Sequence, residues 1–242
     1  MPIDSINQRA FLLPQEIAHL KMCLSTIPST IPKSNHFLPY RFPDIDWADA
    51  GKYTSLTTDF LNELEQAYEE IIGRRMNRLV EGYQFRSLNS MQGDFLFNPF
   101  TVRYQQPEQV DIYHHVENQA VAQFPAFYDK LAKYIEVYDQ LSFVIMLQKP
   151  ERGGEIILFD EYWEGESRVQ AQWDKLLQMD KNNTIEQKVK HRFELEEGEL
   201  LIFPAGQVWH RVGEVYGNKP RITLGGFMGK NKNKDKEYLF WS

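Results

Sequence analysis

The chain has a single cysteine, Cys23, among its 242 residues. One cysteine excludes an intrachain disulfide, a thiolate metal cluster and a cysteine pair for redox exchange. Any bound metal therefore needs histidine and carboxylate ligands. Cys23 itself shares a helical face with Ile17, Leu20, Leu24 and Ile27, a pattern that predicts a small buried residue rather than a nucleophile.

Basic charge and long apolar stretches are also scarce. The 27 Lys and Arg residues against 34 Asp and Glu residues give a net charge of -7, which offers no broad basic field to a nucleic acid. No apolar run approaches the roughly 18 residues of a membrane span, and the first residues lack the pattern of a signal peptide. We therefore expect a cytoplasmic protein that binds neither nucleic acid nor membranes.

The hydrophobic pattern changes near residue 100. Before that point the apolar spacing is helical over residues 14–27 and 57–79, and a proline-rich, extended connector over 28–44 separates the two. The length suits one domain with a single core. We expect a single domain over residues 1–242, in which residues 1–99 form a helical support for a core formed by residues 100–242.

Short apolar runs separated by Gly, Pro and Asn predict the strands of this core. The runs are Phe100–Tyr104, Val110–Val116, Leu141–Leu147, Glu155–Phe159, His191–Leu195, Glu199–Pro204 and Arg221–Phe227. Helical insertions are predicted at Ala120–Val137, a candidate lid, and at Ser167–Met179. The fold class is α+β with a mainly β core, arranged as a sandwich or jelly-roll barrel.

Two histidines and a carboxylate carry the chemistry. His115 and Glu117 end the second predicted strand, and because strand side chains alternate, they project together while His114 faces the other way. His210 follows the predicted strand at residues 199–204. Two imidazoles and one carboxylate are the ligands that hold Fe(II) in non-heme oxygenases and leave open coordination positions.

A basic residue and a hydroxyl complete this pattern. Arg221 begins the last predicted strand, and Thr223 shares its face. A guanidinium matches the geometry of a carboxylate, so this pair suits the distal end of a dicarboxylate. Together with the three candidate ligands, the pair predicts a site for Fe(II) and 2-oxoglutarate.

Each signal also has a structural interpretation. A His-x-Glu sequence is common by chance, His210 can be a satisfied core histidine, and Arg221 can be a structural salt-bridge partner. Two other classes of function therefore stay open: a cupin-like metal-binding or sensing module without turnover, and a purely structural β-sandwich. The Arg221-x-Thr223 pair disfavours the sensing module, because simple metal binding needs no partner for a dicarboxylate.

The second half of the chain resembles the Fe(II)/2-oxoglutarate-dependent oxygenases of double-stranded β-helix fold. The similar segments, in order, are residues 141–147, 153–156, 198–203, 210–212 and 217–227. Within that superfamily, the His-Val-x-Asn and His-Arg-Val runs are similar to those of carrier-independent small-molecule hydroxylases and aliphatic halogenases. In related enzymes the strand at 100–104 lines the site, which makes Arg103 a candidate contact for substrate or cosubstrate.

The resemblance implies a role for each residue. His115, Glu117 and His210 are implied as Fe(II) ligands, and Arg221, assisted by the Thr223 hydroxyl, as the partner of the C5 carboxylate of 2-oxoglutarate. The implied reaction hydroxylates an aliphatic carbon of a free amino-acid derivative or natural product and converts 2-oxoglutarate and O2 into succinate and CO2. The related halogenases have a small residue where this chain has Glu117, so the carboxylate implies hydroxylation rather than halogenation.

Overall fold

The structure is a computed structural model that describes residues 5–25, 67, 69–88, 101–105, 114–123 and 125–241. The predicted connector at residues 28–44 lies outside the described residues, as does the first part of the predicted helix at 57–79. Among the described residues, no helix is long and apolar enough to cross a membrane.

The helices of the described residues are mostly short. They are α1 (Pro14–Ser25), α2 (Arg74–Met76), α3 (Gln119–Gln123), α4 (Pro125–Leu131) and α5 (Val169–Lys181). A π-helical turn at Glu69–Gly73 precedes α2, and 3-10 turns at Glu166–Arg168 and Ile185–Lys188 flank α5. Helix α1 begins at Pro14, as predicted. Proline fits there because the N–H that it lacks would have no partner in the first turn of a helix. Cys23 is buried within this helix, also as predicted.

The described residues form twelve strands. They are β1 (Ile6–Gln8), β2 (Gln84–Ser87), β3 (Thr101–Gln105), β4 (Leu141–Gln148), β5 (Arg152–Gly153), β6 (Ile156–Tyr162), β7 (Val189–Phe193), β8 (Leu200–Phe203), β9 (Val208–Val212), β10 (Val215–Tyr216), β11 (Arg221–Lys230) and β12 (Glu237–Trp241).

Two sheets contain most of these strands. The large sheet has the order β1-β8-β4-β11-β12-β2, and β3 also pairs with β11. The small sheet has the order β7-β6-β9, and β10 pairs with β5 in a separate two-stranded ribbon. All pairs are antiparallel except β12 with β2.

The two sheets pack face to face around an inner core. Alternate residues of β4 and β8 in the large sheet meet residues of β6 and β9 in the small sheet. This inner cluster includes Met146, Leu201 and Phe203 on one side and Ile156, Leu158 and Val208 on the other. A mainly β core of two facing sheets confirms the predicted fold class.

Helices cover the outer faces of both sheets. The intervening residues of the large sheet, such as Ile145 and Leu224, pack against Ile17 and Leu20 of α1. The outer face of the small sheet packs against α5 in a cluster that includes Phe159, Trp209 and Leu176. Side chains on the inner faces are therefore enclosed between two sheets, and this is where a shielded reaction site can form.

Several strands differ from the sequence prediction. The sequence places His210 just past a strand, whereas the residue lies within β9. Strand β9 is not predicted because its polar residues interrupt the apolar pattern of a strand. Strand β12 is buried at every residue because it pairs with β11 and β2. Strands β1 and β2 are short segments of the N-terminal half, and only their pairing with distant strands defines them.

Candidate metal and cosubstrate site

The side chains of His115, Glu117 and His210 converge at one point. Oε1 of Glu117 lies 3.7 Å from Nε2 of His115 and 3.8 Å from Nε2 of His210, and the three ligand atoms lie within 4.8 Å of one another. Bonds from a divalent ion to such atoms are about 2.0–2.2 Å long. One ion between them can therefore contact both imidazoles and the carboxylate, which is the donor set that suits Fe(II).

Backbone hydrogen bonds bring these residues together. The N–H of His115 donates to the carbonyl of His210 at 3.0 Å, and the N–H of His210 donates to the carbonyl of His115 at 2.9 Å. The N–H of Glu117 donates to the carbonyl of Ala205 at 2.9 Å. His210 is in turn held in β9 by pairing opposite Leu158 of β6. The ligand segments are thus joined to each other and to the small sheet.

The His210 ring is held in a defined orientation. Its Nδ1 lies 2.9 Å from the carbonyl of Val208, and the Phe203 ring contacts it edge-on at a centroid distance of 4.9 Å. Because a carbonyl only accepts hydrogen bonds, Nδ1 carries the proton and Nε2 keeps its lone pair. That lone pair is on the nitrogen that faces Glu117, as metal binding requires.

His114 occupies the opposite face, as the strand alternation predicts. It is fully buried, its ring meets that of Phe159 edge-on at 5.1 Å, and its Nε2 hydrogen bonds to Asp180 of α5. Burial lowers the pKa of His114, although the hydrogen bond to Asp180 acts in the opposite direction. His114 packs outward, which leaves His115 as the inward candidate ligand.

Arg221 and Thr223 share the inner face of β11. The Arg221 side chain donates from Nε to the carbonyl of Gly154 at 2.8 Å and from Nη1 to the Thr223 hydroxyl at 3.3 Å. Gly154 has φ +73°, and a Cβ atom there would lie 2.8 Å from Cδ of Arg221, so the glycine leaves room for the arginine. The Arg103 backbone pairs with that of Thr223; the Arg103 side chain lies outside the described part.

One inner cluster connects the arginine pair with the histidines. Met146, the β4 partner of Thr223, belongs to the same cluster as Phe203, whose ring contacts His210. Arg221 is only 3% exposed. Arg221 and His210 thus lie on two facing sheets at the border of one enclosed core.

A buried polar network beside Glu117 has no counterpart in the sequence prediction. Tyr128 of α4 donates to Oε1 of Gln140 at 3.3 Å, and Nε2 of Gln140 lies 3.4 Å from Oδ1 of Asn118. Burial raises the pKa of Tyr128, and the negative charge of Glu117 raises it further. The three residues come from separate segments, so the only sequence signal is that Asn118 follows Glu117 directly.

The two facing sheets and the converging side chains of His115, Glu117 and His210 fit an Fe(II)/2-oxoglutarate-dependent oxygenase. Residues 47–242 match a family model described as "Carrier-protein-independent halogenase WelO5". The match covers most of the chain, so the chain belongs to this family. Membership confirms the resemblance stated from the sequence, and the protein is an enzyme that uses Fe(II), 2-oxoglutarate and O2 rather than a sensing module or a structural sandwich.

Solved structures support the fold. A novel N-substituted L-amino acid dioxygenase from Burkholderia ambifaria AMMD, in complex with alpha-KG, is 13% identical with a TM-score of 0.59, and the match covers 99% of this chain and 86% of that one. The same Burkholderia protein in a second structure is 12% identical, with the same TM-score and coverage. No curated protein matches the chain by sequence.

The convergence of three ligand atoms predicts the effect of removing one of them. In His115→Ala and His210→Ala we expect anaerobic Fe(II) affinity to fall by more than the ~10–100-fold typical of residues around the ligands. His191→Ala is the matched control, because His191 is an exposed histidine of β7 in the same small sheet. Equal affinity in all variants, or an equal loss in the control, would contradict the ligand assignment.

Proposed function

We propose that the protein is an Fe(II)/2-oxoglutarate-dependent hydroxylase of a free small molecule. The observation that carries the proposal is the Glu117 carboxylate, whose Oε1 lies 3.7 Å and 3.8 Å from the imidazole nitrogens of His115 and His210. A carboxylate at this position neutralises one charge of Fe(II) and occupies a coordination position. This geometry supports hydroxylation as the reaction, although the description of the family names a halogenase.

Different groups of residues are proposed to bind the metal and the cosubstrate. His115, Glu117 and His210 would hold Fe(II) and leave coordination positions available for 2-oxoglutarate and O2. Bound Fe(II), with 2-oxoglutarate and O2, supplies the oxidising chemistry that yields succinate, CO2 and hydroxylated substrate. The protein positions these reactants and keeps the reaction between two sheets, shielded from solvent.

Arg221 is proposed to bind the C5 carboxylate of 2-oxoglutarate. Its guanidinium is fixed by the carbonyl of Gly154 and the hydroxyl of Thr223, so little side-chain freedom remains to be lost on binding. Arg presents a planar set of N–H donors that matches a carboxylate, and burial strengthens such charge-assisted hydrogen bonds. Thr223 offers its hydroxyl beside the same group.

The proposed substrate is an amino-acid derivative or a related natural product. The family description names a halogenase that needs no carrier protein, which fits a substrate free in solution. The net charge of -7 disfavours a nucleic acid as the substrate.

Because Arg221 is charged and buried, removing its side chain should selectively weaken the binding of 2-oxoglutarate. Truncating one partner of a buried charged pair costs roughly 2–5 kcal/mol, so Arg221→Ala should raise the Kd of 2-oxoglutarate at least ~30-fold and leave Fe(II) affinity nearly unchanged. Arg221→Lys should restore part of the loss, because one ammonium cannot reproduce the fork. Anaerobic calorimetric titration of the Fe(II)-loaded protein measures this change.

Arg152→Ala is the matched control for this measurement. Arg152 lies in β5, two residues before Gly154, but its side chain is exposed. The control should bind 2-oxoglutarate like the unmodified chain. Unchanged affinity in Arg221→Ala, or the same loss in Arg152→Ala, would refute the proposed role of Arg221.

The Glu117 carboxylate predicts the outcome of turnover in the presence of halide. With a panel of N-substituted amino acids, chloride and ¹⁸O2, the unmodified enzyme should give a product that contains one ¹⁸O atom and no chlorine, as read by mass spectrometry. Glu117→Gly opens one coordination position, so chloride or bromide should perturb the visible spectrum of its complex with Fe(II) and 2-oxoglutarate at saturating Fe(II).

Glu117→Asp is the control, because it keeps a carboxylate and should remain insensitive to halide. Iron affinity should fall in Glu117→Gly, since a charged ligand is lost, and therefore Fe(II) has to be saturating. A chlorinated product from the unmodified enzyme would contradict the assignment of Glu117 as a ligand.

A further inference from the structure

Behind the candidate metal site, on the outer face of the small sheet, lies a second group of polar side chains that the proposed reaction does not use. Asp180, in the last turn of α5, accepts a hydrogen bond from Nε2 of His114 on Oδ2 and one from Nη1 of Arg211, at 3.0 Å, on Oδ1. One carboxylate thus joins two segments that are distant in the sequence.

The two partners of Asp180 stand directly beside the two imidazole ligands. His114 precedes His115, and Arg211 follows His210. Because strand side chains alternate, the ligands point inward while their neighbours point outward to α5. The backbone bridge between His115 and His210 and the Asp180 contacts therefore hold the same two segments from opposite faces.

The group is buried, so its contacts are strong and selective. The exposed fractions of the side chains of His114, Asp180 and Arg211 are 0%, 9% and 13%. Within the described part of the chain, Asp180 is the hydrogen-bonding partner of the His114 ring, and Nδ1 of that ring has none. Removing the carboxylate would leave a buried imidazole and a largely buried guanidinium without this acceptor, which favours displacement of both segments.

We propose that Asp180 is a positioning residue for the metal site. By binding His114 and Arg211, it holds His115 and His210 at the separation that a single Fe(II) ion requires. Metal sites demand ligand placement within about 0.5 Å, and partners around the ligands typically change metal affinity by ~10–100-fold. This inference rests on the proposed function, because it assumes that the two histidines bind metal.

The test is a titration of the 242-residue chain with Co(II), whose visible absorption reports the ligand geometry. Asp180→Ala should bind Co(II) ~10–100-fold more weakly and show shifted or weakened absorption bands. Asp180→Asn retains the shape and one acceptor oxygen, so it should recover part of the affinity.

Gln172→Ala is the matched control for a loss of stability alone. Gln172 is a buried residue of the same helix, and it donates to the carbonyl of Tyr162 at 2.6 Å. The control should lower the melting temperature but keep the Co(II) affinity within about threefold and leave the spectrum unchanged, since it breaks a buried hydrogen bond that involves neither His114 nor Arg211. All titrations are run at a temperature at which circular dichroism shows each variant to be folded.

The outcomes separate this inference from the proposed function. Wild-type protein that binds no Co(II) would overturn both. Wild-type binding together with an unchanged Kd and spectrum in Asp180→Ala, or a change equal to that in Gln172→Ala, would overturn the role of Asp180 alone. If Asp180→Ala does not fold, the same titration is run on Asp180→Asn and Arg211→Met. Weakened Co(II) binding in these variants would support the role of Asp180, and unchanged binding would overturn it.

Discussion

Two reciprocal backbone hydrogen bonds, of 3.0 Å and 2.9 Å, join His115 to His210, and the geometry of the candidate site depends on them. They set the distance between two segments that are far apart in the sequence and therefore the 4.0 Å separation of the imidazole rings. Glu117, two residues along, then reaches the same point from the inner face. Without this bridge, the segment of His115 and Glu117 would be held near His210 only through the hydrogen bond from Glu117 to Ala205 among the backbone contacts described above, and a common position for one ion would depend on loop conformation.

In the segments that contain His115 and His210, the side chains on the inner face and those on the outer face have different roles. Inward side chains supply the proposed metal ligands and, across the inner cluster, the Arg221 and Thr223 pair. Outward side chains meet α5, where Asp180 holds His114 and Arg211. Alternation along a strand separates the two groups by one residue, so groups that bind reactants and groups that hold the backbone can be adjacent in sequence without competing for space. On the outer face, the largely buried Arg211 guanidinium is paired with the Asp180 carboxylate, as burial requires.

More of the candidate site than of the fold could be predicted from the sequence. The period of two in strands placed His115 and Glu117 on one face and His114 on the other, and it placed Arg221 with Thr223, because these relations are local. It did not assign His210 to β9 or detect β12, because those strands are defined by pairing with distant partners. The network of Tyr128, Gln140 and Asn118 and the contacts of Asp180 also join separate segments, for which one sequence carries no signal.

The central claim is that His115, Glu117 and His210 hold Fe(II) with adjacent coordination positions open for 2-oxoglutarate. Anaerobic visible absorption spectroscopy tests it most directly, since a keto acid that chelates Fe(II) through its keto and carboxylate oxygens gives a metal-to-ligand charge-transfer band. The account predicts that adding 2-oxoglutarate to the folded, Fe(II)-loaded protein produces this band, and that succinate, which lacks the keto group, does not. A folded, iron-loaded protein that shows no such band with saturating 2-oxoglutarate would contradict the account.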